Sequence, residues 1–583
     1  MRTSRLVPSA ILLTAAILAA PVRATTVVVP DDYATIQAAI DAGADSVLVR
    51  DGTYAEHPTL PRSMALLTAP PIPQTGQPPF PKVAGLTVSC PSLAGPVLVR
   101  DFHFTGAVVL ADGHLEDWPV EFTACRMDSG LTDLRTAVYD GRVHVRGCLV
   151  FGGVTLGPSG LRYVDVSENS IIGGGLAVDV DEAGSIRGNY IEGPAAAGIR
   201  IVSSDADILP ISDNVITGTT DGVVIDARQR SQYGDYHDNV VRDCSGSAFR
   251  AFTSASMKGF PKLRHNTVRD CGGHGFELVN VYALIDSNDI ENVGLDGVRS
   301  MSPGQSVVGN RIHHAAGSGI RLGDYSNEVS GNQVLDAGGD GIVLGFTQTW
   351  GHNVVGRCGG VGIRVTTTSD AAVQEVAHNT AYLNQGAGFD VQGPAPQVGI
   401  HHNIAYGNHG AGLNWSGTGT LVLGCDDWRE NIGGATVGVT PGATDVSLDP
   451  AFCGLSQDSV SLALNSPLLA APQCGQIGAL GAGCGPAADV GSDVGAVVAS
   501  LAAWPQPAAG AVHFAWSELG GPGMLELYDI AGRRRWSADI RPGERGLDWS
   551  GQDAAGRPLA PGVYLARLMG GGIELRTRIV RVR

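Results

Sequence analysis

The chain has 583 residues, too many for one compact core, so several domains or an elongated repeat are expected. A formal net charge of -18 argues against nucleic acid or an anionic membrane surface as partner, because both are bound through basic patches. Charged residues are only 16% of the chain, and its 81 glycines lack collagen's three-residue period, a composition that suits many tight turns between short strands.

Arg2 and Arg5 precede an apolar run from Ala10 to Ala20, and Val22-Arg23-Ala24 offers a small-residue cleavage site. Residues 1–24 therefore read as a cleaved export signal, with an apolar run too short to span a bilayer comfortably. The mature protein is expected to be secreted or attached to the cell surface. Asp31 or Asp32 can then cap a short helix with Ile36, Ala39 and Ile40 on one face, followed by a strand over Ser46–Arg50 and an Asp51-Gly52 turn. Such a helix would cover the open end of a stack of strands. The phrase VPDDYATIQAAIDAGADSVLVRDGTYAE resembles the opening of secreted right-handed parallel β-helix proteins of the pectin-lyase-like superfamily. That resemblance implies an all-β solenoid and, by itself, no particular activity.

From Glu56 to Gly160 the pattern is irregular, with a proline-rich stretch PPIPQTGQPPFP and short apolar runs that read as degenerate coils. A regular array follows, at about 160–415. Its markers are Asn169, Asn189, Asn214, Asn239, Asn266, Asn288, Asn310, Asn332, Asn353, Asn379 and Asn403, with three exact 22-residue intervals in succession from Asn266 to Asn332. Two residues after Asn288, Asn310 and Asn332 come Ile290, Ile312 and Val334, and nine after come Gly297, Gly319 and Gly341. A repeat of this length means stacked coils, and aligned asparagines can hydrogen-bond along the stack. With rungs about 4.8 Å apart the array spans roughly 48 Å. A leucine-rich repeat is excluded by the missing leucine consensus.

Aligned on asparagine, the coils yield columns. Five residues on lie Cys244, Cys271, Val293, Ala315, Ala337 and Cys358, an inward column in which a Cys244–Cys271 bridge between rungs is geometrically allowed. Three residues on lie Arg242, Arg269, Glu291 and His313; eight on lie His274, Asp296, Ser318 and Asp340. His274, Asp296 and Asp340 are the catalytic candidates, as acid–base groups, and Arg242, Arg269 and His313 the candidates for binding substrate, the arginines by gripping a sugar carboxylate. Turn preference for Asp, Ser and His before glycine is the plainer account of the same column. Gly273-His274-Gly275 resembles a motif of polygalacturonase-type glycoside hydrolases, but Gly317-Ser318-Gly319 shares its phase and the paired acids of those enzymes are not found. Tyr233 to Asp238 loosely resembles the tyrosine–histidine–aspartate motif of mannuronan C5-epimerases, without its proline. His352, His378 and His402 form a further column, read as stacked turn residues. No metal site and no cofactor are expected.

Cys425, Cys453, Cys474 and Cys484 fall in a C-terminal cap over 420–486, which resembles the end of secreted β-helix proteins of the same type. Four cysteines allow three pairings, of which Cys425–Cys453 with Cys474–Cys484 is favoured. The β-helix thus occupies 25–486, residues 487–500 read as a small-residue linker, and 501–583 as a small β-sandwich. There Asp529, Gly532, Trp549, Gly551, Asp553, Gly556, Pro561, Gly562 and Tyr564 resemble the Ig-like domain of flagellar hook-capping proteins, whose relatives end many secreted bacterial proteins as sorting or anchoring domains. The function expected is binding of extracellular polysaccharide or another surface ligand along one solenoid face by a monomer, with contact to secretion or anchoring machinery through the last domain. The alternative is a polysaccharide lyase, glycoside hydrolase or epimerase of the pectin-lyase-like type.

Overall fold

In the computed structural model the described residues are 25–485 and 501–581, apart from 71–79, 91–94, 112–117, 136–140, 204–208, 228–233, 254–259, 324–325, 346, 368–373, 505–510, 517–520, 530–532, 542–543, 545, 561 and 571–572. The expected export signal over 1–24, the expected linker over 487–500, most of the proline-rich stretch, Tyr233, Gly532 and Pro561 lie outside them. Two compact units result, 1–487 and 488–583.

The first unit is a right-handed parallel β-helix of about 17 coils. The coil around Asn310 shows the plan. Gln305–Val308 lies in sheet I, Arg311–Ala315 in sheet II and Ile320–Leu322 in sheet III. Each strand pairs in parallel with its counterparts one coil away, as in Ile290↔Ile312↔Val334 on sheet II. Alternate residues point inward, and one continuous core runs from Val29 to Trp428.

The corner between sheets I and II is made by the asparagine and the residue before it. Gly309, Gly331, His352, His378 and His402 all hold left-handed backbone at that preceding position. Asn310 is 1% exposed; its Oδ1 accepts the N–H of Asn288 at 3.0 Å and the Nδ2 of Asn288 at 2.9 Å. Its own Nδ2 donates to Asn332 and to the Ile285 carbonyl. The same bonds repeat from Asn169 to Asn403, where Asp426 and then Asp445 take over as acceptors. These corners carry backbone groups that would otherwise be buried unpaired. Gly319 is equally constrained: a Cβ there would meet Val334 Cγ1 at 2.2 Å and the Gly341 carbonyl at 2.8 Å.

The irregular stretch 56–160 is regular in space. Strand register Lys82↔His103↔Arg126↔Leu149↔Ser170 puts Pro81, Phe102, Cys125 and Cys148 at the asparagine position. Cys148 N–H still donates to Asn169 Oδ1 at 2.9 Å, and Cys125 N–H to Cys148 Sγ at 3.4 Å. The missing marker hid these coils in the sequence. In the thiol column, Cys244, Cys271 and Cys358 are buried and free, with no bridge between rungs. One coil after Cys358 the column changes chemistry: Asn384 and Asn408 occupy it and build a second amide ladder, ending at Asn431.

At the N-terminus, Ile36–Asp41 forms the helix, with Ile36, Ala39 and Ile40 buried in the common core. Its N-cap is Thr35, whose hydroxyl accepts from Ala38, rather than Asp31 or Asp32. Those acids are engaged elsewhere: Asp31 pairs with Arg50 at 2.6 Å and Asp32 accepts the Val28 N–H at 2.7 Å. Glu56 accepts the Ile36 and Gln37 N–H groups and so completes the helix start.

The C-terminal cap folds back along sheet II. Val460 and Ala479 pack on Leu335, Val354 and Tyr382, while Leu462, Leu468 and Ile477 pack on Ile404. The disulfides are Cys425–Cys474 and Cys453–Cys484, not the favoured pairing of neighbours. The returning chain explains the crossing: His402 meets the Cys474 carbonyl at 2.9 Å, which sets Cys474 beside the corner where Cys425 precedes Asp426. His352, His378 and His402 stack as expected, with ring centroids 5.1 and 4.8 Å apart.

The second unit has a three-stranded sheet (Leu501–Trp504, Val512–Trp516, Gly546–Trp549) and a four-stranded antiparallel sheet containing Gly523–Asp529 and Gly562–Gly570. Both contribute to one core around Phe514, Leu527, Trp549 and Leu568.

Candidate functional site

The outer face of sheet III presents a charged row. Strand register aligns Arg200, Val224, Arg250, Glu277, Arg299, Arg321, Val343, Arg364 and Asp390 on successive coils. All but Val224 stand eleven residues after an asparagine, so the same alignment that yields the other columns contains this one. Inward neighbours such as Ile320 and Leu322 anchor each strand and leave the intervening arginine outside.

Each guanidinium faces a carboxylate of its own coil or an adjoining one. Arg364 reaches Asp340 at 2.9 Å and Asp390 at 2.5 Å. Arg299 and Arg321 share Asp296, at 3.9 and 3.5 Å, and Arg321 donates to Ser318 Oγ at 2.7 Å. Arg250 lies 3.7 Å from Asp221 and 3.4 Å from Glu277, and Arg200 pairs with Asp226 at 3.0 Å. Near Arg200 and Arg250 the face opens into a cleft of about 460 Å³, also lined by Gly153, Gly175, Ala197 and Phe252.

The catalytic candidates stand along the edge of this row. His274, Asp296 and Ser318 are 5%, 6% and 0% exposed. They form a third ladder, of opposite sense to the asparagines: each later coil donates its backbone N–H to the earlier side chain. Ser247 N–H donates to Asp221, His274 N–H to Ser247, Asp296 N–H to His274 Nδ1 at 3.1 Å, Ser318 N–H to Asp296 Oδ1 at 2.7 Å and Val361 N–H to Asp340 Oδ1 at 2.8 Å. Because Nδ1 accepts, the His274 ring carries its proton on Nε2, and burial lowers its pKa below the usual imidazole value.

Arg242, Arg269 and His313 lie on the outer face of sheet II, with Arg242 paired to Asp243 at 2.8 Å and Arg269 to Asp289 and, at 3.1 Å, to Glu291. Arg311 Nε donates to His313 Nε2. Among the described residues no hydrogen bond or ion pair joins this set to His274, Asp296 or Asp340; the arginines meeting Asp296 and Asp340 come from sheet III instead. The sheet II column turns apolar where the cap covers it, at Leu335 and Tyr382. In the stretch that loosely resembles the epimerase motif, Tyr236 faces the core, and His237 pairs with Asp238 at 2.7 Å.

A separate acid–base cluster sits on the outer face of sheet I. Glu121, His144 and Asp165 align on three successive coils, each four residues before the asparagine position. The His144 Nδ1 is buried without a hydrogen bond, 3.8 Å from Glu121 Oε2, and its ring meets Tyr163 edge-on with centroids 5.6 Å apart. Arg146 fixes Asp165 at 2.6 Å. Burial, then the nearby Arg146 charge, lowers the His144 pKa. The set escapes sequence reading because Cys125 and Cys148 replace the marker asparagine. Among the described residues no group of three or more His, Cys, Asp or Glu could hold a metal ion.

The sequence matches the family described as right handed beta helix region, over residues 142–280 and 251–426. No curated protein sequence matches the chain. Among solved structures, PorZ, a surface component of the type-IX secretion system of Porphyromonas gingivalis, is similar over 14% of this chain and 11% of its own, at 19% identity and a TM-score of 0.13. Tailspike protein 3 of bacteriophage CBA120 is similar over 70% of this chain and 59% of its own, at 10% identity and a TM-score of 0.29. A mannuronan C-5 epimerase A-module of Azotobacter vinelandii is similar over 70% of this chain and 95% of its own, at 15% identity and a TM-score of 0.21. The chain thus spans about a tenth of PorZ and 59% of the tailspike.

Proposed function

We propose that this is an exported β-helix protein that binds extracellular polysaccharide along the outer face of sheet III. The carrying observation is the row from Arg200 to Asp390, where guanidinium and carboxylate groups are held against each other on successive coils. Preorganised donors and acceptors at a fixed rise suit a repeating, hydroxyl-bearing ligand, because little side-chain entropy is lost on binding. Asp296 and Asp340 act here by positioning Arg299, Arg321 and Arg364, and the backbone bonds of the ladder hold both acids in place. A catalytic use of His274, Asp296 and Asp340 requires release from those bonds. The export signal over 1–24 supports secretion, and the Ig-like resemblance of the second unit supports sorting or anchoring at the cell surface. Among the described residues no helix is long and apolar enough to cross a membrane. Retention of the mature protein on immobilised polysaccharide tests the reading; loss of retention in Arg250→Ala and Arg321→Ala supports it, and unchanged retention in both refutes the assignment to this face.

A second reading, polysaccharide processing, is favoured by one observation, the unpartnered Nδ1 of His144 between Glu121 and Asp165. A half-buried imidazole whose Nδ1 is buried without a hydrogen bond beside a carboxylate is equipped for proton transfer. Chain cleavage or unsaturated product that disappears in His144→Gln would establish a lyase or hydrolase; epimerase chemistry would show as altered sugar composition without cleavage. Turnover unchanged in His144→Gln removes this site.

A further inference from the structure

Beside the charged row, sheet III carries an apolar one. Phe252 pairs with Val279, and Met301 follows Ser300, which pairs with Leu278, so Phe252, Val279 and Met301 stand on consecutive coils. Val279 is 41% and Met301 57% exposed, on a face that no other segment among the described residues is recorded as covering. Arg250 lies over the Phe252 ring at 5.5 Å. Met301 rests against Gly323 of the next coil, where a Cβ would come within 2.7 Å of its Sδ. Three aligned apolar side chains next to a polar row, Val279 and Met301 exposed and Phe252 half-buried, mark a contact surface rather than scattered exposure.

The charges say what kind of ligand. Five guanidiniums (Arg200, Arg250, Arg299, Arg321 and Arg364) face six carboxylates, so the row as a whole carries no excess positive charge, although Arg299 and Arg321 share the single Asp296. An anionic polymer would have to displace these carboxylates on a chain of net charge -18. An uncharged polyol has no such barrier. Its hydroxyls donate to the acids and accept from the arginines without breaking the pairs, and its ring faces carry the C–H surface that an apolar row contacts.

We infer that the ligand of sheet III is an uncharged, hydroxyl-rich polysaccharide. It lies along the solenoid axis, with ring faces on Phe252, Val279 and Met301 and hydroxyl edges on Arg250, Glu277 and Arg299. The inference rests on the binding role proposed above and adds the class and orientation of the ligand.

The full-length mature protein is applied to a printed panel of neutral polysaccharides (glucan, mannan, galactan, xylan) and acidic ones (polyuronate, sulfated galactan), at low and high salt. The expected result is binding to a neutral polymer that changes less than about twofold between the two salt conditions, since no counterions are released. Met301→Ser combined with Val279→Thr, both exposed and hence neutral to folding, should weaken that binding about tenfold. Val422→Thr, on the last strand of sheet I, serves as the control that leaves binding unchanged. Preferential binding of acidic polymers, lost at high salt, overturns the inference while leaving the polysaccharide-binding role intact. Binding to no polymer overturns both, and neutral binding that survives the Met301 and Val279 changes overturns the placement.

Discussion

The Asp296 carboxylate accepts the backbone N–H of Ser318, one coil further on, at 2.7 Å, while its other oxygen faces Arg321 at 3.5 Å. One side chain therefore closes a turn and aims a guanidinium. Asp296→Ala should destabilise the fold by about 1–3 kcal/mol, by leaving a buried N–H unpaired, and should also weaken ligand retention. Asp296→Asn keeps the acceptor for Ser318 and loses the charge, so it should restore stability but not retention. Denaturant unfolding and retention measured on both variants separate the two roles.

The asparagine ladder predicts a steeper cost. Asn310→Ala strands the N–H and Nδ2 of Asn288 and the Ile285 carbonyl together, so a loss of about 3 kcal/mol is expected in urea unfolding. Gly319→Ala should cost about 1–3 kcal/mol for a different reason, since its methyl has to displace Val334 and the Gly341 carbonyl.

The C-terminal cap should respond to pH in two opposed ways. Burial raises Asp427 to about 7, so the folded cap holds that proton, and stability is lost as pH rises from the ordinary carboxylate range through about 7. Asp426 is pushed up in the same direction, again by burial. Burial, with the neighbouring His402 and His352, lowers His378 to about 4, so stability is lost as pH falls below the ordinary imidazole value towards 4. The windows overlap and partly cancel. Thermal unfolding against pH should show a smaller alkaline loss in Asp427→Asn, where Asp426 still contributes, and the alkaline loss alone in His378→Gln; unaltered profiles in both would refute the assignment.

Reduction should free the cap. Loops of 49 and 31 residues give about 4 kcal/mol per disulfide in the chain-entropy model, as an upper figure. Hydrogen exchange after reduction, or in Cys425→Ser with Cys474→Ser, should rise over 445–484 and at Leu335, Val354 and Tyr382, which the cap covers. Coils such as that of Asn214 should keep their protection.

Much of the solenoid was legible because its constraints are local and repeat: the asparagine corner, the glycine that yields to Ile312 or Val334, the inward column of Cys244 and Cys271. The coils before Gly160 were not, since Phe102, Cys125 and Cys148 fill the asparagine position without its signature. For the same reason Glu121, His144 and Asp165 stayed out of view. The arginine row was present at a fixed offset from the asparagines, but Arg, Glu and Val alternate in it, so no single residue type announced it. The disulfide pairing depends on the cap returning along sheet II, a relation between distant segments that cysteine spacing does not encode. Equally, His274, Asp296 and Asp340 were legible as one column, whereas their engagement with the next coil's backbone needed coordinates.

The most direct test of the account is equilibrium binding of the mature protein to a neutral polysaccharide, with and without Arg250→Ala plus Arg299→Ala on sheet III, alongside Arg242→Ala plus Arg269→Ala on sheet II. The account predicts about a tenfold loss of affinity for the sheet III pair, at unchanged melting temperature, and no loss for the sheet II pair. Loss confined to the sheet II pair, or binding indifferent to both, would contradict it.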